Sequence, residues 1–130
     1  MTTELFCLTT ITVLTAVMWV PYTLNMIGVR GLADAVGYPA DPQPLAPWAT
    51  RMKAAHYNAV ENLVVFAVLV LVAHALGVSD NATQTSAVVY FWARVAHFLA
   101  YTFAVPWVRT LGFVIGSLSQ LCIAWQILAA

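Results

Sequence analysis

The stretch Asn62-Leu-Val-Val-Phe-Ala-Val-Leu-Val-Leu-Val-Ala-His-Ala-Leu-Gly-Val-Ser79 contains no Asp, Glu, Lys or Arg, and His74 is its only titratable side chain. It is too long for a strand and has no polar face, so it is either a buried core helix or a helix in lipid. Its surroundings decide between these. No Asp, Glu, Lys or Arg occurs from Leu5 to Val29 or from Thr110 to Ala130, and Ala82 to Val108 holds one charge, Arg94. Over the whole chain 62% of residues are hydrophobic and 8% are charged, whereas globular domains carry about 25% charged residues. Ten charges cannot wet the surface of a 130-residue protein. A bilayer-spanning helix needs about 20 apolar residues. The arithmetic predicts one integral membrane domain, residues 1–130, with four spans at about 5–25, 51–76, 85–105 and 108–128. The fold class is an all-α bundle of four transmembrane helices.

Other classes drop out. Net charge is zero and no basic tract exists, so nucleic acid has no electrostatic footprint. Cys7 and Cys122 both lie in apolar segments and form neither a disulfide framework nor a metal-ligand spacing, so no metal is expected. They read as small apolar fillers. Met1 to Glu4 lacks the basic start of a signal peptide, so the first apolar segment reads as a retained helix. Pro21 is expected to kink it near one end. The connection from Gly28 to Thr50 holds four of the six prolines and reads as irregular chain. Gly77 to Asn81 reads as a short turn and Pro106-Trp107 as a tight break. Arg30, Arg51, Lys53 and Arg109 fall on one side, facing Glu4 and Asp80 on the other. The positive-inside rule then puts the basic side in the cytoplasm and both termini outside, in a bacterial inner membrane in the periplasm.

Polar groups within the spans carry the functional information. A mid-membrane charge costs about 2.5–3.5 kcal/mol on insertion scales and usually faces a partner or a cavity. Glu61 lies about 15 Å along its helix from Arg51, and Arg94 about 18 Å from Pro106 on an antiparallel neighbour. The two opposite charges reach similar depths, which predicts an ion pair. At about 100° per residue Arg51, Asn58 and Asn62 share a face, Glu61 flanks them and His56 points away. Tyr90, Arg94, His97 and Tyr101 form a stripe on the third span. Arg109, Gly112, Gly116 and Gln120 share a face of the fourth, and the Gly112–Gly116 pair predicts packing against a helix rather than lipid. The expected product is a polar wedge between the second and third spans, opening toward Arg51, Tyr101 and Arg109.

Each group alone has a plainer reading. Glu61 and Arg94 could merely lock two helices, His97 and Tyr101 could be helix-to-helix hydrogen bonders, and Arg51, Lys53 and Arg109 stand where positive-inside residues stand anyway. Their convergence exceeds what helix association requires. Arginines take carboxylates with paired hydrogen bonds, a carboxylate takes an ammonium, and an amide takes peptide groups, so a tripeptide such as glutathione matches the set. A cation and a hydroxyl near its sulfur, Arg109 and Tyr101, would favour the thiolate. Lipid-side grooves would supply an apolar electrophile.

Arg51-Met-Lys-Ala-Ala-His56-Tyr-Asn58-Ala-Val-Glu61-Asn62-Leu-Val-Val-Phe66, with Ala93-Arg94-Val-Ala-His97-Phe-Leu-Ala-Tyr101, resembles the MAPEG family (membrane-associated proteins in eicosanoid and glutathione metabolism), especially its small bacterial members. The resemblance covers nearly the whole chain. It implies a homotrimer binding glutathione, as co-substrate, between neighbouring subunits on the cytoplasmic side, and a lipophilic second substrate. By position it implies glutathione-binding roles for Arg51, Asn58 and Glu61 on the second helix and for Arg94, His97 and Tyr101 on the third. Arg109 matches the arginine that stabilises the thiolate, while Arg30 and His56 match positions reaching in from the adjacent subunit. Two positions depart from the pattern: Ala54 replaces an arginine that grips a carboxylate, and Asn62 replaces a tyrosine found in some members. The activity implied is a glutathione transferase or peroxidase acting on lipophilic electrophiles or hydroperoxides. The alternatives are a non-enzymatic ligand-binding member of the family and a small multidrug-type transporter using Glu61, another short four-span class with a buried carboxylate.

Overall fold

A computed structural model describes all 130 residues, Met1 to Ala130. The chain is all-helical: α1 (Thr3–Val17), α2 (Trp19–Arg30), α3 (Leu32–Val36), α4 (Pro47–Ala75), α5 (Asn81–Thr102) and α6 (Pro106–Ala129). Three helical runs are long and apolar enough to cross a membrane, namely Thr3–Arg30, Pro47–Ala75 and Pro106–Ala129. α5 falls outside that set because Asn81, Gln84, Arg94 and His97 dilute its 22 residues.

Local chemistry sets the helix ends. Pro47 and Pro106 open α4 and α6, where a proline's missing N–H costs nothing and its fixed φ already suits a helix. Asp80 caps α5 through a reciprocal pair of bonds with Thr83. Gly77, at φ 71°, closes α4, with its own N–H on His74 O and the Val78 N–H on Ala73 O. Two features depart from the sequence expectation. The break in the first span falls at Met18, between α1 and α2, rather than at Pro21. Proline disrupts the turn before it, having no N–H for the carbonyl four residues back and a ring that crowds it. The connection expected to be irregular from Gly28 to Thr50 is shorter than that, because α2 runs on to Arg30 and α4 opens at Pro47 rather than Arg51, and it contains the five-residue α3.

Aromatic and aliphatic side chains from all the long helices meet in one core: Cys7 and Ile11 of α1, Phe66 and Val70 of α4, Tyr90 of α5 and Ile123 of α6. Phe66 and Tyr90 stack with centroids 3.8 Å apart and planes 12° apart. A smaller cluster of Met18, Ala55, Ala59 and Phe98 lies nearer the basic end. Cys7 is a buried filler, as its apolar setting suggested. α5 and α6 are the most intimate pair. A Cβ at Gly112 would lie 2.9 Å from the Ala93 carbonyl oxygen and 3.1 Å from His97 Cβ, and one at Gly116 would lie 3.2 Å from Arg94 Cδ. The glycine face of α6 packs on the polar stripe of α5, as its spacing predicted.

Candidate functional site

α4, α5 and α6 converge at the basic end of the bundle, where the turn from α5 to α6 forms the floor of a cavity. Arg51, Tyr101, Ala104, Val105, Pro106 and Arg109 line about 190 Å³ there. The turn is tight: the Val105 N–H reaches back to Ala100 O at 2.8 Å, and Ala104 adopts φ 60°. That left-handed conformation is unusual for a residue with a Cβ. Ala104 and Val105 were not among the sequence-based candidates. Pro106-Trp107 marked the break, but nothing in an alanine announces a positive φ.

Three sequence-based candidates meet at this mouth. Arg51 Nε donates to Thr102 O at 2.9 Å, which anchors the α4 arginine on the last turn of α5. The Arg109 guanidinium lies over the Tyr101 ring, 5.0 Å from its centroid. His97 meets the same ring edge-on at 5.7 Å, and His97 Nδ1 donates to Arg109 O at 2.8 Å. Because a carbonyl only accepts, that bond places a proton on Nδ1 and makes Nε2 the acceptor of the neutral ring. Two guanidinium groups, of Arg51 and Arg109, and the Tyr101 phenol thus line one small volume, and the buried His97 imidazole backs the phenol ring.

Arg94 stands one turn deeper, 3% exposed. Its Nη2 donates to Asn58 Oδ1 of α4. Asn62 Nδ2 donates to Asn58 O at 2.9 Å, and Gln120 Nε2 of α6 donates to Asn62 O at 3.0 Å. The amides of α4 and α6 therefore form a ladder beneath the arginine. Three buried nitrogen atoms have no partner: Arg94 Nε, Arg94 Nη1 and His97 Nε2. Buried polar atoms are nearly always paired, so this group is built to meet something the chain does not supply.

The expected ion pair between Glu61 and Arg94 does not form within the chain. Glu61 is exposed on the outer face of α4, and Asn58 takes Arg94 in its place. The depths match, but a step of three residues turns Glu61 about 60° away from Asn58 around the helix. His56 lies elsewhere too, its Nδ1 2.8 Å from the Tyr22 hydroxyl of α2. Arg30 Nε donates to Gln43 O at 2.7 Å in the long connection. Neither lines the cavity. The structure thus brings together Arg51, Asn58, Arg94, His97, Tyr101 and Arg109, and separates Glu61, His56 and Arg30 from them within one chain.

A model of the MAPEG family matches residues 8–129. No curated protein matches the chain. The family match spans every helix that contributes to the cavity.

Proposed function

The chain belongs to the MAPEG family, and from that premise we propose that it is a membrane-bound glutathione transferase or peroxidase. The observation that carries the reading is the buried trio of orphaned nitrogens on Arg94 and His97, which lie deeper along α5 than Tyr101, on the same stripe that leads to a cavity lined by Arg51, Tyr101 and Arg109. A peptide bearing two carboxylates would supply the acceptors that the two Arg94 nitrogens lack, and its N–H groups the donor that His97 Nε2 lacks; charge-assisted bonds to a guanidinium are among the strongest available. Arg51 and Arg94 hold carboxylates, and Asn58 contributes an amide. Glu61, Arg30 and His56, which one chain keeps apart from its own cavity, reach the ligand bound by a neighbouring copy, where Glu61 takes the ammonium group.

Arg109 and the Tyr101 hydroxyl face the sulfur. They favour loss of its proton to water, as cations beside a thiol do. The thiolate then attacks an electrophilic carbon, forming C–S while the carbon–leaving-group bond breaks and its electron pair departs with the leaving group. With a hydroperoxide the sulfur instead takes the terminal oxygen as O–O breaks, releasing an alkoxide that is protonated to the alcohol. A second glutathione resolves the sulfenic acid to disulfide and water. Four-span subunits assembled as trimers, with the basic end in the cytoplasm of a bacterial cell, complete the reading. α5 is long enough to be the fourth span: its 22 residues extend about 33 Å at 1.5 Å per residue. Its charge and imidazole face inward, against α4 and α6.

Ultraviolet absorbance of the thiolate tests this. Purified protein mixed with glutathione at neutral pH is expected to develop the thiolate band, and Arg109→Ala to lose it. Turnover of an aryl halide should fall on the order of 10²-fold in that variant, the scale of removing one preorganised charge-stabilising donor. Absence of the band at millimolar glutathione would exclude the reading.

One observation favours a second reading. Glu61, midway along α4, is exposed and has no partner in the chain, as a proton-coupled carboxylate would require. Proton-driven uptake of a cationic dye into vesicles, lost in Glu61→Gln, would establish transport.

A further inference from the structure

At the opposite end of the bundle from the arginine cavity, a second polar site has no role in the reading above. Glu4, in the first turn of α1, is 3% exposed. Its Oε1 accepts from Thr83 Oγ1 at 2.6 Å and from Ser79 Oγ at 3.0 Å, whereas its Oε2 is buried with no partner. Glu4 is among the residues lining a cavity of about 220 Å³, together with Thr2, His74 and Ser79. A buried carboxylate whose second oxygen has no full hydrogen bond, beside an open volume, suits a donor from outside the chain.

The surroundings specify the charge of that donor. Glu4 and Asp80 are the acidic residues at this end, and the chain's five Lys and Arg all lie elsewhere. The C-terminal end of α4 adds partial negative charge beside His74 and Gly77. Met1, 87% exposed, contributes nothing to the cavity lining. The ligand is therefore a cation. A divalent metal does not suit it, because no group of three His, Cys, Asp or Glu side chains comes together, and one carboxylate with hydroxyls balances a single charge. The volume far exceeds the roughly 30 Å³ of one water, which leaves room for several non-hydrogen atoms. Oε2 and the Thr2 and Ser79 hydroxyls offer oxygen acceptors that match the N–H donors of a primary ammonium.

We propose that Glu4, Thr2 and Ser79 form a binding site for a primary ammonium group, carried either by a small free amine or by an aminophospholipid headgroup. The site lies where α1 and α5 begin and α4 ends, the level at which a spanning bundle meets headgroups. It is independent of glutathione chemistry.

The test is the thermal midpoint of the purified protein in neutral detergent, followed by tryptophan fluorescence. Ethanolamine should raise it saturably, while choline, which has no N–H, should leave it unchanged at equal ionic strength. A parallel comparison in nanodiscs of phosphatidylethanolamine and of phosphatidylcholine identifies the source. A rise with the first lipid and not with free ethanolamine assigns the ammonium to the bilayer, and a rise with both admits either carrier. Glu4→Gln keeps an acceptor for Thr83 and Ser79 but removes the charge, and it should abolish the response. Ser79→Ala, at the exposed rim, should weaken it if Glu4→Gln does not fold. The thiolate band with glutathione should persist in both variants, so failure here and failure of the proposed function are separable. Equal responses to ethanolamine and choline, no response to either ammonium source, or a full response in Glu4→Gln would overturn the site.

Discussion

Arg94 is a cation buried between helices and neutralised by no carboxylate of its own chain. Its one protein acceptor is the side-chain oxygen Asn58 Oδ1, and hydrogen bonds to charged groups are worth about 1.5–3 kcal/mol. Asn58, not Glu61, should therefore be its energetic partner. In detergent melts, the losses from Asn58→Ala and Arg94→Ala should couple, with the double variant departing from their sum by about 0.5–3 kcal/mol, as contacting residues do. Glu61→Ala and Arg94→Ala should add within about 0.5 kcal/mol. Strong coupling of the acidic pair would contradict the geometry. This distinction was only half legible in the sequence. Residue counting fixes depth along a helix, and Arg94 does sit level with the middle of α4. Rotation is a separate coordinate, and opposite charge suggested a pairing that the 60° offset of Glu61 from Asn58 does not permit. Arg51, His97, Tyr101 and Arg109 were readable because helical spacing alone puts each on an inward stripe. Ala104 was not, since its part in the cavity comes from a backbone angle.

Between elements, the site depends on how closely α6 approaches α5. The two glycines of that seam do different work. A methyl at Gly112 meets the backbone carbonyl of Ala93, which cannot turn aside. A methyl at Gly116 meets the flexible stem of Arg94. Gly112→Ala should therefore separate the helices and cost about 1–3 kcal/mol, the range for overpacking a filled interior. Gly116→Ala should melt closer to the unmodified protein but bind glutathione more weakly, because the guanidinium is displaced. Melting and calorimetric titration of both variants check this, and a reversed order would show that the seam does not position Arg94. The glycine spacing made this contact readable, as Pro106 did the break before α6, whereas Pro47 read as loop and instead opens α4 one turn ahead of the expected Arg51. The five-residue α3 was not, because one turn and a half carries no hydrophobic period. The break at Met18 lay upstream of Pro21 because a proline's missing bond is felt in the preceding turn.

At the scale of the molecule, the chain buries 28 of its 130 residues and leaves large apolar side chains on every long helix. Lipid can cover most of these, but not the outer face of α4. There Tyr57, Glu61, Val64, Val68 and Leu71 are all exposed, and they recur at alternating steps of four and three. That is the period of a coiled-coil seam, which holds one stripe of a helix against a partner. A carboxylate in its middle, with no partner in the chain, would cost about 2.5 kcal/mol or more against hydrocarbon. The same stripe against other copies could share water or meet a ligand held between chains, the position in which Arg30 and His56 would also become useful. The assembly is thus expected to close around α4. Native mass spectrometry in mild detergent should give the mass of three chains. Replacing Val64 and Val68 together by tryptophan should force the seam apart and leave single chains, whereas Leu121→Trp, on the exposed face of α6, should leave the trimer intact because lipid yields to added bulk. A single-chain mass for the unmodified protein, or equal behaviour of the two variants, would place the α4 stripe in lipid and leave Glu61 without an environment that accounts for it.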